Sequence, residues 1–159
     1  MNLNCDAIQS KTEANDFFST LNKDITLIQT NKIKSNYLES IGNDMYQKFF
    51  FYIEEHNISY IKKAIDDNIA NININHQDSK GNTFLNNAVR FNFDEIIEFL
   101  LRLGANPNLG NKELNYPLHY ALSAKKFEIA NLLINYGALE DVTNVDGLNP
   151  WQCVGKVLK

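Results

Sequence analysis

From Phe84 onward, apolar residues return at helical spacing in two short runs, stop at a glycine, and begin again 33 residues later. In the first set, Leu85, Ala88 and Val89 share one face of a predicted helix running from Phe84 to about Phe91. Ile96, Ile97, Leu100 and Leu101 share one face of a second, from about Asp94 to Leu103. The second set opens with Leu118, Ala121 and Leu122, and Phe127, Ile129, Leu132, Leu133 and Ile134 are expected to build its second helix. Thr83 has the chemistry of an N-cap, and Pro117 occupies a first helical position where its missing N–H is no loss. Gly104 ends the first pair because the position after a helix commonly needs a left-handed backbone. The polar stretch from Ala105 to Asn115 is left to project as a hairpin.

The offset of 33 residues is kept at the positions that shape a backbone. Gly104-Ala105 returns as Gly137-Ala138, Leu85 and Ala88 as Leu118 and Ala121, and Ile96 and Leu100 as Ile129 and Leu133. A third copy begins at Asn144, carries Asp146-Gly147-Leu148-Asn149-Pro150-Trp151, and predicts one closing helix over 150–159 with Trp151 in the leucine place. A fixed period of this length is the mark of a helical solenoid, in which each repeat buries its flank on the next. Ala88 and Ala121 are small because first helices of adjacent repeats must lie close together.

Upstream the pattern fades. Met45 to Glu55 and Ile58 to Asp67 predict a degenerate repeat with Asn57 as N-cap between them. Asn75 and Asn108 are 33 apart but Ile61 and Ile97 are 36 apart, so about three residues are inserted after that second helix. The run Phe49-Phe50-Phe51-Tyr52 is expected to pack the first full repeat against the N-terminal helices. Residues 1–43 are expected to form a helical extension in which Ser10-Lys11-Thr12-Glu13 reads as a capping box for a helix at about 11–22. The expected organisation is thus an extension over 1–43 and a repeat domain over 44–159, divided as 44–77, 78–110, 111–143 and a half-repeat cap at 144–159.

Composition narrows the function classes. The net charge of −4 divides as 7 basic to 10 acidic residues over 1–77 and 8 to 9 over 78–159. No basic stripe for a phosphate backbone is visible, so no nucleic-acid partner is expected. The longest apolar run, Phe49 to Ile53, is far short of a membrane span, and the N-terminus lacks the form of a signal peptide, so a cytoplasmic, non-membrane protein is expected. Cys5 and Cys153 make no disulfide framework. His56, His76 and His119 lack metal-ligand spacing, no nucleophile elbow or phosphate loop occurs, and neither a metal, a cofactor nor an active site is expected.

These residues resemble the ankyrin-repeat family, whose motif runs Asp-x-x-Gly-x-Thr-Pro-Leu-His-x-Ala and then Ile-Val-x-x-Leu-Leu-x-x-Gly-Ala-x-x-Asn. The resemblance covers 78–159 well and 44–77 weakly, and implies an all-α ankyrin-repeat solenoid of helix-turn-helix units and hairpin loops. Each full repeat keeps half of the family's Thr/His pair, Thr83 with Asn86 in one and His119 with Tyr116 in the other, and Phe84 replaces the proline.

The resemblance also implies a non-enzymatic module that binds a protein partner through hairpin tips and exposed first-helix positions. On the first full repeat these are Ser79, Lys80, Asn82, Arg90 and Phe91. The second contributes Lys112, Glu113, Asn115, Ser123 and Ala124, and the third Val145, Asp146 and Leu148. Phe91 beside Arg90 has the composition of an interface anchor. Small bacterial ankyrin proteins resemble immunity proteins that neutralise a cognate toxin or secreted effectors that engage host proteins. Slight acidity favours the first, against a basic toxin such as a nuclease. The competing class is an enzyme or enzyme subunit using residues 1–57.

Overall fold

In a computed structural model the chain divides into two compact units, Met1–Asn43 and Asp44–Lys159. The structure describes residues 32–33, 44–68 and 72–158. The helix expected at 11–22, the extension around it and Cys5 lie outside the described residues.

The second unit is built from helix pairs. Repeat one contributes α1, Met45–Glu54, and α2, Ile58–Asn68. Repeat two contributes α3, Phe84–Arg90, and α4, Asp94–Arg102, and repeat three contributes α5, Pro117–Ser123, and α6, Phe127–Asn135. First helices stack on one another, α1 on α3 and α3 on α5, and each packs on its own second helix. Ala88 and Ala121, fully buried, let them approach. The α1–α2 and α3–α4 turns hold His56 and Asn92 in left-handed backbone, 36 residues apart, so the inserted residues fall after the turn, and α2, with 11 residues against 9 in α4, takes up two of them within the helix they were expected to follow.

The core is continuous. Phe49, Ile53, Leu85, Ile97, Leu100, Leu118 and Leu133 are sealed from solvent, and each such side chain is worth about 1.5–3 kcal/mol of burial. Phe84, at the family's proline position, explains itself here: its ring centroid lies 4.3 Å from Phe49 and 4.6 Å from Phe50. The aromatic run of α1 therefore packs on the first full repeat, and the N-terminal helices it was also expected to meet lie outside the described residues.

Three expectations need correction. The third copy forms only a short 3-10 helix, Pro150–Cys153, not a helix to residue 159. After Val154 the backbone extends and Gly155 turns left-handed at φ 71°, which brings its N–H onto the Ser123 carbonyl at the end of α5. Trp151 does not take the buried leucine place. It is 46% exposed and donates its indole N–H to Glu140, while Cys153 is the side chain that inserts. Phe127, assigned to the core of α6, is 47% exposed, because it opens the helix at the register where the preceding repeat has the exposed Asp94.

Candidate functional site: the cleft between two hairpins

Loops of successive repeats are joined through asparagines. In each repeat one side-chain oxygen closes its own loop: Asp78 accepts from the backbone N–H groups of Lys80 and Asn82, Asn111 from those of Glu113 and Asn115, and Asn144 from those of Asp146 and Leu148. The asparagines also reach back one repeat. Asn111 donates to Asn82 at 3.2 Å, and Asn144 to Asn115 at 3.0 Å. Backbone bonds run parallel to them, from Lys112 to the carbonyl of Lys80 and from Val145 to that of Glu113. Gly81, at φ 81°, permits the approach, since a Cβ there would meet the Lys112 nitrogen at 3.0 Å.

A second ladder ties the opposite edge. Asn75 accepts from the N–H of Asn106 at 2.7 Å, and Asn108 from that of Leu139 at 2.8 Å. Asn108 also donates to the Gly137 carbonyl at 2.8 Å.

The Thr/His pair is divided between repeats without being lost. Thr83 caps α3 by accepting from Asn86 N–H, and the Asn86 amide crosses to the Leu109 carbonyl at 3.1 Å. His119 accepts from Tyr116 N–H at Nδ1, so its Nε2 carries the proton donated to the Leu148 carbonyl at 3.0 Å. Burial holds the His119 imidazole below its ordinary pKa, against the opposing pull of that carbonyl.

Between the second and third hairpins lies a cleft of about 410 Å³. Six of its lining residues are sequence-predicted positions: Ser79, Lys80, Asn82, Arg90, Lys112 and Glu113. Asn111 and Tyr120, which sequence reasoning did not single out, complete the lining. Asn82 and Asn115 are only 2% exposed. Their side chains, expected on the binding surface, are spent on the ladder. Phe91 is half-buried and lies under the Arg90 guanidinium at 5.3 Å, and its carbonyl accepts from His56 Nε2 at 2.9 Å.

Ser123 bonds its own helix at the Tyr120 carbonyl, and Ala124 is exposed beside it. Val145 and Asp146 are exposed on the next hairpin, outside the cleft, whereas Leu148 is half-buried with both backbone groups committed. Among the described residues no group of three or more His, Cys, Asp and Glu side chains is placed to hold a metal, and no helix is long and apolar enough to cross a membrane.

The family model for ankyrin repeats in three copies matches residues 49–146, more than half of the chain. An ankyrin repeat protein of Acanthamoeba polyphaga mimivirus is 38% identical over 86 residues, covering 54% of this chain and 21% of its own length. One from Rickettsia felis is 41% identical over 95 residues, covering 55% of this chain and 41% of its own length. The human transient receptor potential cation channel subfamily A member 1 is 33% identical over 108 residues, 67% of this chain but 9% of the channel. The chain thus spans less than half the length of these relatives. Paired helices, left-handed glycines at 33-residue spacing, hairpins laced by side-chain amides and the family match together place the chain in the ankyrin-repeat family, whose repeats are protein–protein interaction modules.

Proposed function

We propose that this chain binds a protein partner through the face formed by its hairpins and first helices. One observation carries the reading: the fold spends the asparagines of that face on its own ladder but leaves Ser79, Lys80, Arg90 and Lys112 pointing into a preformed cleft. A surface ordered before contact loses little entropy on binding, which is how repeat arrays gain affinity. Neutralisation of a cognate toxin is the sharper form of this reading, and engagement of a host protein as an effector is its alternative. The overall negative charge supports a basic toxin, whereas the cleft itself is lined by cations, so the partner's identity decides between them.

Affinity capture with tagged protein tests the reading when two variants are run beside the wild type. A face variant carries Phe91→Ala and Lys112→Glu, and a second-helix variant carries Glu98→Lys and Glu128→Lys, all at exposed or half-buried positions. A stoichiometric protein retained by wild type and the second-helix variant but lost by the face variant supports the proposal. Loss with the second-helix variant alone contradicts it.

A further inference from the structure

The hydrogen-bonding groups that the cleft leaves unspent are almost all donors. Asn111 gives its amide nitrogen to Asn82 and to the Tyr120 hydroxyl, and its oxygen is occupied by two backbone N–H groups. The Asn82 amide nitrogen is committed to Asp78. The Tyr120 oxygen accepts from Asn111 and is hydrogen-bonded by Asn115 as well. The Tyr120 hydroxyl, engaged by both asparagines, lies at the floor of the cleft. Above it stand Lys80, Arg90 and Lys112, exposed, and among the described residues no carboxylate forms an ion pair with any of them. Arg90 is steadied by the Phe91 ring, leaving the edges of its guanidinium fork to bond a carboxylate.

We infer that the cleft between Lys80 and Lys112 receives a side-chain carboxylate from an acidic segment of the partner, an inference that rests on the protein-binding reading above. A cavity of about 410 Å³ suits one or two side chains rather than a folded element. The positive field is also bounded. Glu113 lines the cleft, and Glu54 lies close enough to Arg90, Lys80 and Asp78 to interact electrostatically with each. A phosphodiester backbone, with one charge per nucleotide, would meet these acids as soon as it left the cations, whereas an isolated carboxylate would not. The specificity therefore belongs to one or two acidic side chains presented at a set spacing.

Backbone-amide NMR of the isotopically labelled full chain tests this, using three probes at equal ionic strength: a blocked hexaglutamate peptide, a blocked hexalysine peptide and hexathymidylate. Hexaglutamate is expected to give saturable shifts centred on Lys80, Lys112, Glu113 and Tyr120. The affinity should weaken about fivefold or more in Lys80→Gln/Lys112→Gln and stay unchanged in Lys156→Gln, a loss of order 1 kcal/mol. No saturable shift up to about 10 mM, an equal response to hexalysine, tighter binding of hexathymidylate, or full affinity in the double variant would each overturn the inference. A captured partner that ignores charge at Lys80 and Lys112 but is lost with the face variant overturns only the carboxylate reading. A partner indifferent to the whole face overturns both.

Discussion

Asn111 donates its side-chain amide to the Asn82 oxygen at 3.2 Å, 29 residues away in sequence, and both groups are buried. The bond is repeated 33 residues later between Asn144 and Asn115 at 3.0 Å. Asp78 stands at the same register as Asn111 and Asn144 but only accepts, so it begins the ladder without needing an amide.

That asymmetry predicts unequal tolerances. Asn111→Asp keeps the acceptor for the two loop N–H groups but sets a carboxylate against the Asn82 oxygen, and should cost about 2–3 kcal/mol. Asp78→Asn keeps the same loop acceptor but turns an amide nitrogen toward that of Asn82, losing one part-buried hydrogen bond, and should cost only about 1 kcal/mol. Urea unfolding of the two variants checks this, and equal losses would contradict the ladder's polarity.

The opening residue of α3 gives a second test. Restoring the family's proline with Phe84→Pro removes a fully buried ring from between Phe49 and Phe50. The cavity should cost about 3–4 kcal/mol despite the better match to the motif. A neutral or stabilising result in thermal unfolding would show that the aromatic cluster contributes nothing to α1's attachment.

His119 makes stability depend on pH. Its folded pKa is lowered from the ordinary 6.5 by burial, so below 6.5 the unfolded chain takes up the proton first. The stability that the neutral ring contributes is whole above 6.5 and is lost as pH falls from there through the lowered folded value. His119→Gln should flatten the slope of unfolding free energy in that acidic window, relative to wild type. An identical slope in both proteins would remove His119 from the account.

Leu114 occupies a left-handed backbone at φ 56°, at the register of Gly81 and Gly147, with its side chain exposed. Leu114→Gly relieves about 1–2 kcal/mol of strain and returns part of it through unfolded-state entropy, for a net gain of about 0.5–1 kcal/mol. A loss in chemical denaturation would mean the Leu114 side chain makes a contact that outweighs the strain.

The repeat period, the helix pairs and the glycine turns were legible because each is written in residue type: Leu85 and Leu118 are equally buried, and Gly104 and Gly137 have φ 88° and 86°. The rim of the cleft was legible too, because hairpin positions such as Lys80 and Lys112 follow from the period. Its floor was not. Whether Asn82 and Asn115 face solvent depends on a donor one repeat away, and a polar residue in a loop reads as exposed until that partner is known. The spacing of Asp78, Asn111 and Asn144 was the available signal. Trp151 misled for the same reason: alignment placed it with Leu85 and Leu118, but the turn at Gly155 ends the helix after one turn and leaves the indole at the surface.

Site-specific photocrosslinking tests the central claim most directly, with a photoreactive phenylalanine analogue placed at Phe91 in one sample and at the exposed Phe127 in another. Irradiation in cells should give one protein adduct from position 91 and none from position 127. An adduct from position 127 alone would place the partner on the second helices and contradict binding through the hairpin and first-helix face.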